Sequence, residues 1–187
     1  MIAAVFNSMR SILIYILFIF ALSSCAEQCE KNCLPPPSQN GSHKLGFFLN
    51  NKTWVPKDKG FHKEFELPQP TIGEDGLVKI SATRVDDENY CRNWFCIEVQ
   101  NPDMKTGVFP ISNETCKNAY QTYYYGKNKD KASLTYDIIQ TEKNEIEFTK
   151  FDLDENIIAG NFSFTAVSNL SDTIRISQGR FDLKLKE

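Results

Sequence analysis

The sequence predicts an all-β fold: a single antiparallel β-sandwich or barrel-like domain over residues 45–187. Apolar and polar residues alternate in many short segments after Leu45, and this period of two is that of a strand with one buried face. Clusters of Gly, Asn, Asp and Ser separate the segments at intervals of roughly ten residues. Short alternating strands at this spacing are typical of antiparallel sandwiches and barrels.

The first predicted element is a β-hairpin in LGFFLNNKTWVP. Asn50 and Asn51 occupy the turn, because asparagine tolerates the positive φ that a tight hairpin turn needs. The next two strands, 77–85 and 93–101, each carry apolar side chains on one face. These side chains are Val78, Ile80 and Ala82 in the first strand, and Phe95, Ile97 and Val99 in the second.

One helical turn is predicted around Asn113–Tyr120, where a serine and a glutamate form the pattern of a helix start. The remaining segments alternate again and predict strands: ASLTYDII, NEIEFTKF, GNFSFTAV, DTIRISQG and RFDLKLK. Turn-forming residues lie at 73–76, 126–128 and 152–156, so the chain is expected to reverse there.

The first 24 residues have the layout of a lipoprotein signal peptide. An apolar run, Ile12–Leu22, follows the positive charge of Arg10, and it is shorter than the roughly 20 apolar residues that span a bilayer. The run ends on Leu22-Ser23-Ser24-Cys25. This looks like a bacterial lipobox: an aliphatic residue, two small residues and the cysteine that is acylated. The alternative is an ordinary secretory peptide that carries a cysteine here by chance.

An acylated Cys25 predicts a lipid bilayer as a partner of this chain. Acyl chains such as palmitate contribute about 0.8 kcal/mol for each buried CH₂ and anchor a protein firmly. Residue 26 is Ala rather than Asp, so the best-known signal for retention at the inner membrane is missing and the outer membrane is expected. Residues 25–44 are predicted to be a tether, because three consecutive prolines favour an extended polyproline II spacer. Whether the domain faces the periplasm or the cell exterior stays open.

The charge of the chain excludes one class of partner. With 21 basic and 24 acidic residues, the net charge is −3, whereas nucleic-acid binding requires a clustered basic surface. No nucleic acid is therefore expected as a partner, and no motif predicts a cofactor.

Five cysteines remain besides Cys25, and an exported protein is expected to form disulfides. They are Cys29, Cys33, Cys91, Cys96 and Cys116. The preferred pairs are Cys29–Cys33 in the tether and Cys116 with either Cys91 or Cys96. A zinc site is the alternative, but the spacings of the two close pairs are looser than the Cys-x-x-Cys of zinc ribbons. Because five is odd, at least one thiol is unpaired or bridges to another chain.

No catalytic arrangement is recognisable in the sequence, so a non-catalytic binding or envelope-structural role is expected. The two histidines, His43 and His62, lack the flanking motif of a Ser-His-Asp or Cys-His site. A hydrolase acting on glycans or peptides is the alternative, and it needs two carboxylates in one cleft. The candidates for such a pair are Asp86, Asp87, Glu88 and Glu98.

The segment DLDEN places Asp152, Asp154 and Asn156 at positions 1, 3 and 5 of a calcium loop. Ile157 then stands where the loop needs glycine, and Ser163 stands where it needs glutamate. A polar hairpin turn is therefore the expected structure, and no metal site is predicted.

The most unusual segment of the predicted domain is AYQTYYYGKNKDK. Tyr123, Tyr124 and Tyr125 put aromatic rings on both faces of a strand, so one face is a candidate for stacking on the sugar rings of a glycan or on a protein ligand. The three lysines of the loop 127–131 would suit an acidic partner. The alternative is structural, with tyrosines that fill the core and shield an edge strand, because tyrosine is a favoured strand residue.

Two segments carry a resemblance to a known family. LPPPSQNGSHKLGFFLNNKTWVP, residues 34–56, resembles the opening LPPxTQxGxxTFGxxVNGxxWxP of uncharacterised Bacteroidota outer-membrane lipoproteins. FTKFDLDENIIAGNFSFTAV, followed by ISQGRFDLKL, resembles the closing hairpins of the same family, FTKYDxxNxIISGTFxFTA and ITxGRFDxKL. The departures are Leu45, Asn51 and Asn161, where the family commonly has Phe, Gly and Thr.

The resemblance implies a β-rich outer-membrane lipoprotein and no particular activity, so no functional residue is carried over. Its motif residues are expected to be structural, with glycines where backbones turn or pass closely and phenylalanines in the core. The residues given structural roles are Leu34, Pro35, Pro36, Gly46, Trp54, Gly160, Phe162, Gly179, Arg180 and Phe181.

Overall fold

A computed structural model describes residues 33–57, 68–86, 89, 91–111, 116, 118–124, 126–140 and 142–185. The chain divides after Cys33, and the folded domain begins at Leu34. The predicted signal peptide, 1–24, and the predicted acylation site, Cys25, lie outside the described residues. In the described part of the chain, no helix is long and apolar enough to cross a membrane.

The described residues form eleven β-strands and one 3₁₀ helix. The strands are β1 (Lys44–Leu49), β2 (Lys52–Trp54), β3 (Gln69–Ile72), β4 (Leu77–Asp86), β5 (Cys91–Gln100), β6 (Gly107–Pro110), β7 (Tyr120–Tyr124), β8 (Leu134–Ile138), β9 (Glu145–Asp152), β10 (Ile157–Ser168) and β11 (Thr173–Lys184). The 3₁₀ helix is Gly126–Asn128.

The strands form one antiparallel sheet in the order β2-β1-β11-β10-β8-β7-β5-β4-β3. β9 pairs with the first half of β10, on the same edge as β8, and carries β6 on its other side. The predicted all-β antiparallel fold is therefore confirmed. Over the described residues the sheet does not close into a ring.

The core lies where the sheet curls over on itself. Phe47 of β1 stacks on Trp54 of β2 with ring centroids 4.5 Å apart, and it contacts Phe95 of β5 at 4.9 Å. Phe162 of β10 lies 5.3 Å from Phe95. Aromatic pairs stabilise a fold beyond their buried area, so this cluster joins strands that are distant within the sheet.

The predicted first hairpin is confirmed. Phe47 pairs with Trp54 across β1 and β2, and Asn50 and Asn51 have φ angles of 47° and 66° in the turn. Positive φ at both central residues gives the twist that a two-residue hairpin requires. The segment with the partial calcium-loop pattern is also a hairpin turn, between β9 and β10, with Asn156 at a φ of 58°.

β5 is buried on both faces along its second half. Phe95, Ile97 and Val99 lie in the core as predicted, but Cys96 and Glu98 between them are fully buried as well. Cys96 forms a disulfide with Cys116, which ties that part of the chain to the outer face of β5. Of the two partners predicted for Cys116, Cys96 is therefore the one that pairs.

The predicted helical turn at 113–120 is wrong at its C-terminal end. Tyr120 begins β7, and the Ala119 backbone connects two strands. Its N–H donates to the Tyr136 carbonyl at 2.9 Å, and its carbonyl accepts from the Cys96 N–H at 3.0 Å. Pairing with two neighbouring strands outweighs a weak local helix signal. Residues 112–115 and 117 lie outside the described part of the chain.

Candidate functional site: a cleft beneath the opening segment

The opening segment of the domain, residues 34–43, forms a strap across the outer face of the sheet. Pro35 lies against Gly46 of β1, where an added Cβ atom would come within 2.7 Å of the proline ring. Arg180 of β11 donates a hydrogen bond to the Pro35 carbonyl at 3.3 Å. Gln39 donates to a threonine hydroxyl of β9 at 3.0 Å. The strap therefore reaches from β1 across β11 to β9.

Asp182 of β11 holds the strap in place. It is only 2% exposed, and its carboxylate accepts five hydrogen bonds from the strap. The donors are Ser38 Oγ (2.6 Å), Ser42 Oγ (2.7 Å), and the N–H groups of Gly41 (2.7 Å), Asn40 (3.3 Å) and Ser42 (3.3 Å). Burial alone would raise the pKa of this carboxyl, but the donors outweigh burial and lower the pKa to about 2. The ionised carboxylate is thus a fixed anchor for the strap near neutral pH.

The sequence assigns residues 34–43 to the tether 25–44, whereas these residues pack on the sheet and Lys44 belongs to β1. The reason is a contact that local composition does not reveal, because Ser42 and Asp182 are 140 residues apart in the chain. The part of the predicted tether before Cys33 lies outside the described residues.

Two adjoining cavities lie on the outer face of β9, β10 and β11, and together they form what we call the cleft. The first, of about 280 Å³, lies between the strap and the sheet. The second, of about 360 Å³, lies beside it on the open sheet. Asn161 and Arg180 line both cavities. Their volumes are close to the lower end of small-molecule sites, which is roughly 300 Å³.

Two reciprocal Gly–Phe pairs underlie the cleft. Gly160 pairs with Phe181, and Phe162 pairs with Gly179, across β10 and β11. An added Cβ would lie 2.8 Å from the Phe181 ring at Gly160, and 2.5 Å from the Phe162 ring at Gly179. Both rings are buried, so the structural roles expected of these four residues are confirmed. The residue between Gly and Phe in each triplet faces the cleft.

Two β-bulges shape the rim of the cleft. β11 has an extra residue around Gln178 relative to both β1 and β10, and Gln178 has a φ of 49°. β9 has a second irregularity at Thr149. A left-handed φ in a non-glycine residue costs on the order of 1 kcal/mol or more, and such residues and bulges concentrate near binding sites. The backbone of the cleft therefore differs from that of a plain strand surface.

Arg180 is the central charge of the cleft. Its half-buried guanidinium donates to the Pro35 carbonyl, and none of the described carboxylates lies within ion-pairing distance of it. Lys44, which lines the first cavity, likewise makes no ion pair within the described residues. The Asp182 carboxylate in the same wall is occupied by the strap. The first cavity therefore presents positive charge and hydrogen-bond donors.

The second cavity has the opposite character. Glu147 accepts a hydrogen bond from Asn161 at 3.3 Å, and Glu145 forms an ion pair with Lys143 at 2.9 Å. Both glutamates line this cavity. The cleft thus changes from donors and positive charge in the first cavity to acceptors and negative charge in the second.

The tyrosines singled out by the sequence lie elsewhere. Tyr123 of β7 is 56% exposed, and Tyr124 is half-buried, with the Lys131 ammonium 5.3 Å from its ring centroid. Tyr125 lies outside the described residues, and Tyr120 is buried in the core. Neither Tyr123 nor Tyr124 lines the cleft.

The acidic candidates do not meet in the cleft either. Glu98 is fully buried on β5, with a carboxylate oxygen 3.9 Å from the Lys79 ammonium. Asp86 ends β4 and accepts two hydrogen bonds from its own loop. Asp87 and Glu88 lie outside the described residues. Neither Asp86 nor Glu98 lines either cavity, so these two do not form the pair that a hydrolase needs.

His43 does not contribute to the cleft. His43 ends the strap with a φ of 54° and does not line either cavity. His62 lies outside the described residues.

Cys91 lacks the environment of a reactive thiol. Cys91 at the start of β5 is buried with a free thiol; burial raises its pKa, and the Asp86 carboxylate adds to this effect. Such a thiol is protonated and unreactive near neutral pH. Cys33 is exposed, and Cys29 lies outside the described residues. No group of three or more His, Cys, Asp and Glu side chains among the described residues could hold a metal ion.

Sequence reasoning missed the residues that line the cleft. Alternation predicts that Asn161 and Arg180 face outward, and the family resemblance gives Arg180 a structural role. The available signal is the repeated triplet of glycine, a polar residue and phenylalanine, GNF in β10 and GRF in β11. The triplets alone do not show that the strap covers them.

Comparison with known proteins adds no further assignment. No protein-family model, no curated protein and no solved structure matches this chain. The cleft is therefore interpreted from its own geometry and chemistry.

Proposed function

We propose that this protein is an outer-membrane lipoprotein, anchored by an acylated Cys25, whose β domain is a non-catalytic binding module. The observation that carries the proposal is the cleft. It combines a half-buried arginine that has no ion pair among the described residues, two β-bulges and a proline-rich wall fixed by Asp182. These are features of a built ligand site.

The lipobox and the strap together support anchoring by a short spacer. The strap begins at Leu34, so nine residues, 25–33, separate it from the start of the processed chain. Nine residues span at most about 30 Å when fully extended. The resemblance of the opening and closing motifs to Bacteroidota lipoproteins supports the same class of protein.

A glycan hydrolase is the second candidate, because Glu145 and Glu147 both line the second cavity. The two residues stand on one face of the same strand, β9, two positions apart. Glycosidases instead place two carboxyl groups on opposite sides of the scissile bond. This geometry favours binding without hydrolysis.

The variant Cys25→Ala tests the anchor. We expect the wild-type protein in the membrane fraction, labelled by radioactive palmitate, and the variant unlabelled, because it lacks the acylated thiol. Cys33→Ala is the matched control, and its fractionation should be that of the wild type. Palmitate labelling of Cys25→Ala at the wild-type level would show that the lipobox assignment is wrong.

Protease treatment of intact cells then identifies the compartment. Removal of the wild-type domain places it on the cell surface, where external glycans or proteins are the ligands to screen. Survival of the domain until lysis places it in the periplasm, and ligands of the envelope are then screened instead.

A further inference from the structure

We infer that the cleft binds an oligosaccharide in which a carboxylate-bearing sugar stands next to a neutral sugar. The inference rests on the proposed binding function and specifies the ligand of that same site. Three features of the cleft carry it: the charge of the first cavity, the chemistry of its walls, and the reversal of charge in the second cavity.

The first cavity is built to receive a carboxylate. The Arg180 guanidinium and the Lys44 ammonium both belong to its lining, and neither has an ion pair within the described residues. A planar guanidinium binds a carboxylate with two parallel hydrogen bonds. The Asp182 carboxylate lines the same cavity but is engaged by five bonds from the strap. Its one negative charge against the two positive charges of Arg180 and Lys44 leaves the lining with a net charge of +1.

The walls of the first cavity match the two kinds of surface on a sugar ring. Pro36 and Pro37 are exposed and line the cavity, so they offer apolar rings for the C–H face of a sugar. Gln39 and Asn161 also line it, and each already donates from its amide nitrogen. Their side-chain oxygens accept no hydrogen bond within the described residues, and are positioned to accept from sugar hydroxyls.

The second cavity disfavours a second carboxylate. Glu145 and Glu147 would repel it, whereas their oxygens, with those of Ser163 and Gln178, accept hydrogen bonds from hydroxyl groups. Since Arg180 lines both cavities, the two sugars would lie on either side of it. An alternating acidic and neutral chain therefore fits better than a chain of acidic sugars alone.

Two other kinds of ligand fit less well. The backbone groups of β9, β10 and β11 beneath the cleft are paired with one another, so an extended peptide could not bind there by adding a strand. A purely apolar ligand would desolvate the charges of Arg180, Glu145 and Glu147 without compensation.

Isothermal titration calorimetry on the full processed chain in detergent tests the inference. The probes are a hyaluronan hexasaccharide, which alternates glucuronate and N-acetylglucosamine, an oligogalacturonate of the same length, and cellohexaose. We expect the hyaluronan probe to bind most tightly, and Arg180→Gln to weaken it by at least about tenfold, because a charged hydrogen-bonded contact is lost. Arg175→Gln is the matched control, since Arg175 is an exposed residue of the same strand outside the cleft.

The variant Lys44→Gln keeps the test informative if Arg180→Gln fails to fold. Lys44 is exposed, and its replacement should leave the thermal midpoint unchanged while weakening the hyaluronan probe. Equal affinity of both variants and the wild type would overturn the inference.

The remaining outcomes separate the inference from the proposed function. If cellohexaose binds more tightly than the hyaluronan probe, and this binding is lost in Asn161→Ala, the inference of an acidic ligand would be overturned. The proposal that the cleft is a binding site would be supported. Failure of all three probes would overturn the oligosaccharide. Shortening of a bound probe would overturn the non-catalytic function and support the hydrolase alternative.

Discussion

Asp182→Asn is expected to lower the free energy of unfolding by about 3 kcal/mol, because a buried ionised acceptor of several hydrogen bonds is replaced by a group that is itself partly a donor. The amide oxygen of asparagine can accept from only some of the five strap donors, and its NH₂ group faces the others as a second donor. In a domain of this size 1 kcal/mol corresponds to roughly 2–4 °C, so the thermal midpoint should fall by about 10 °C. Denaturant titration and calorimetry measure both quantities.

The pH dependence of stability identifies the carboxylate as the cause. The pKa of Asp182 falls from an ordinary value of 3.8 to about 2 in the folded protein. The stabilisation from this group is therefore fully present above the unfolded pKa and is lost as the pH falls through about 2. At about 1.4 kcal/mol for each pH unit of difference, it amounts to about 2.5 kcal/mol. This loss should be present in the wild type and absent from Asp182→Asn.

The matched control is Asp137→Asn, because Asp137 is an exposed residue of β8. We expect its unfolding free energy within about 0.5 kcal/mol of the wild type, as for most surface substitutions. Equal stability of the wild type and Asp182→Asn between pH 4 and 7 would contradict the role of Asp182 as the anchor of the strap.

Gly160→Ala is the second change with a large expected effect. An added Cβ would lie 1.9 Å from the Glu147 carbonyl oxygen and 2.8 Å from the Phe181 ring. Because the first of these contacts is with backbone, β9 must move away from β10 to relieve it. We expect a loss of about 3 kcal/mol in unfolding free energy, at the upper end for overpacking by a single methyl group. Denaturant titration measures this loss.

Gly73→Ala is the control for a glycine-to-alanine change. Its Cβ would meet the end of the exposed Asp75 side chain at 2.6 Å. This side chain can rotate away at the cost of one exposed hydrogen bond, from the Leu77 N–H at 3.1 Å. The variant should therefore lose much less stability than Gly160→Ala. Similar stabilities of the two variants would show that β9 and β10 are not packed closely at Gly160.

Local features of the fold were predictable because they depend on short-range physics. Alternation identified the strand segments, and the two asparagines identified the first hairpin turn through their tolerance of positive φ. Alternation also predicts the inward-facing residues of β5, and this prediction is confirmed for Phe95, Ile97 and Val99. Its outward residues Cys96 and Glu98 are buried as well, and Cys96 forms its disulfide with a partner 20 residues away, a long-range contact that alternation does not show.

The candidate site was not predictable because it depends on long-range register. Ser42 of the strap and the Asp182 carboxylate are separated by 140 residues in the chain. Without this contact, the proline-rich composition of the strap predicts a free tether. Asn161 and Arg180 face each other only because β10 and β11 pair with one specific register. The three consecutive tyrosines, 123–125, are a stronger signal in the sequence than Asn161 and Arg180. The two that the structure describes, Tyr123 and Tyr124, nevertheless lie outside the cleft.

Amide hydrogen exchange at Gly41 and Ser42 tests most directly whether the strap belongs to the folded domain and so encloses the first cavity. Both N–H groups donate to Asp182, at 2.7 Å and 3.3 Å. We expect them to exchange on the order of 100-fold more slowly than in an unstructured peptide at neutral pH, and to lose this protection in Asp182→Asn. Exchange at the rate of an unstructured peptide in the wild type would show that residues 34–43 are a free tether, and the cleft beneath the strap would not exist.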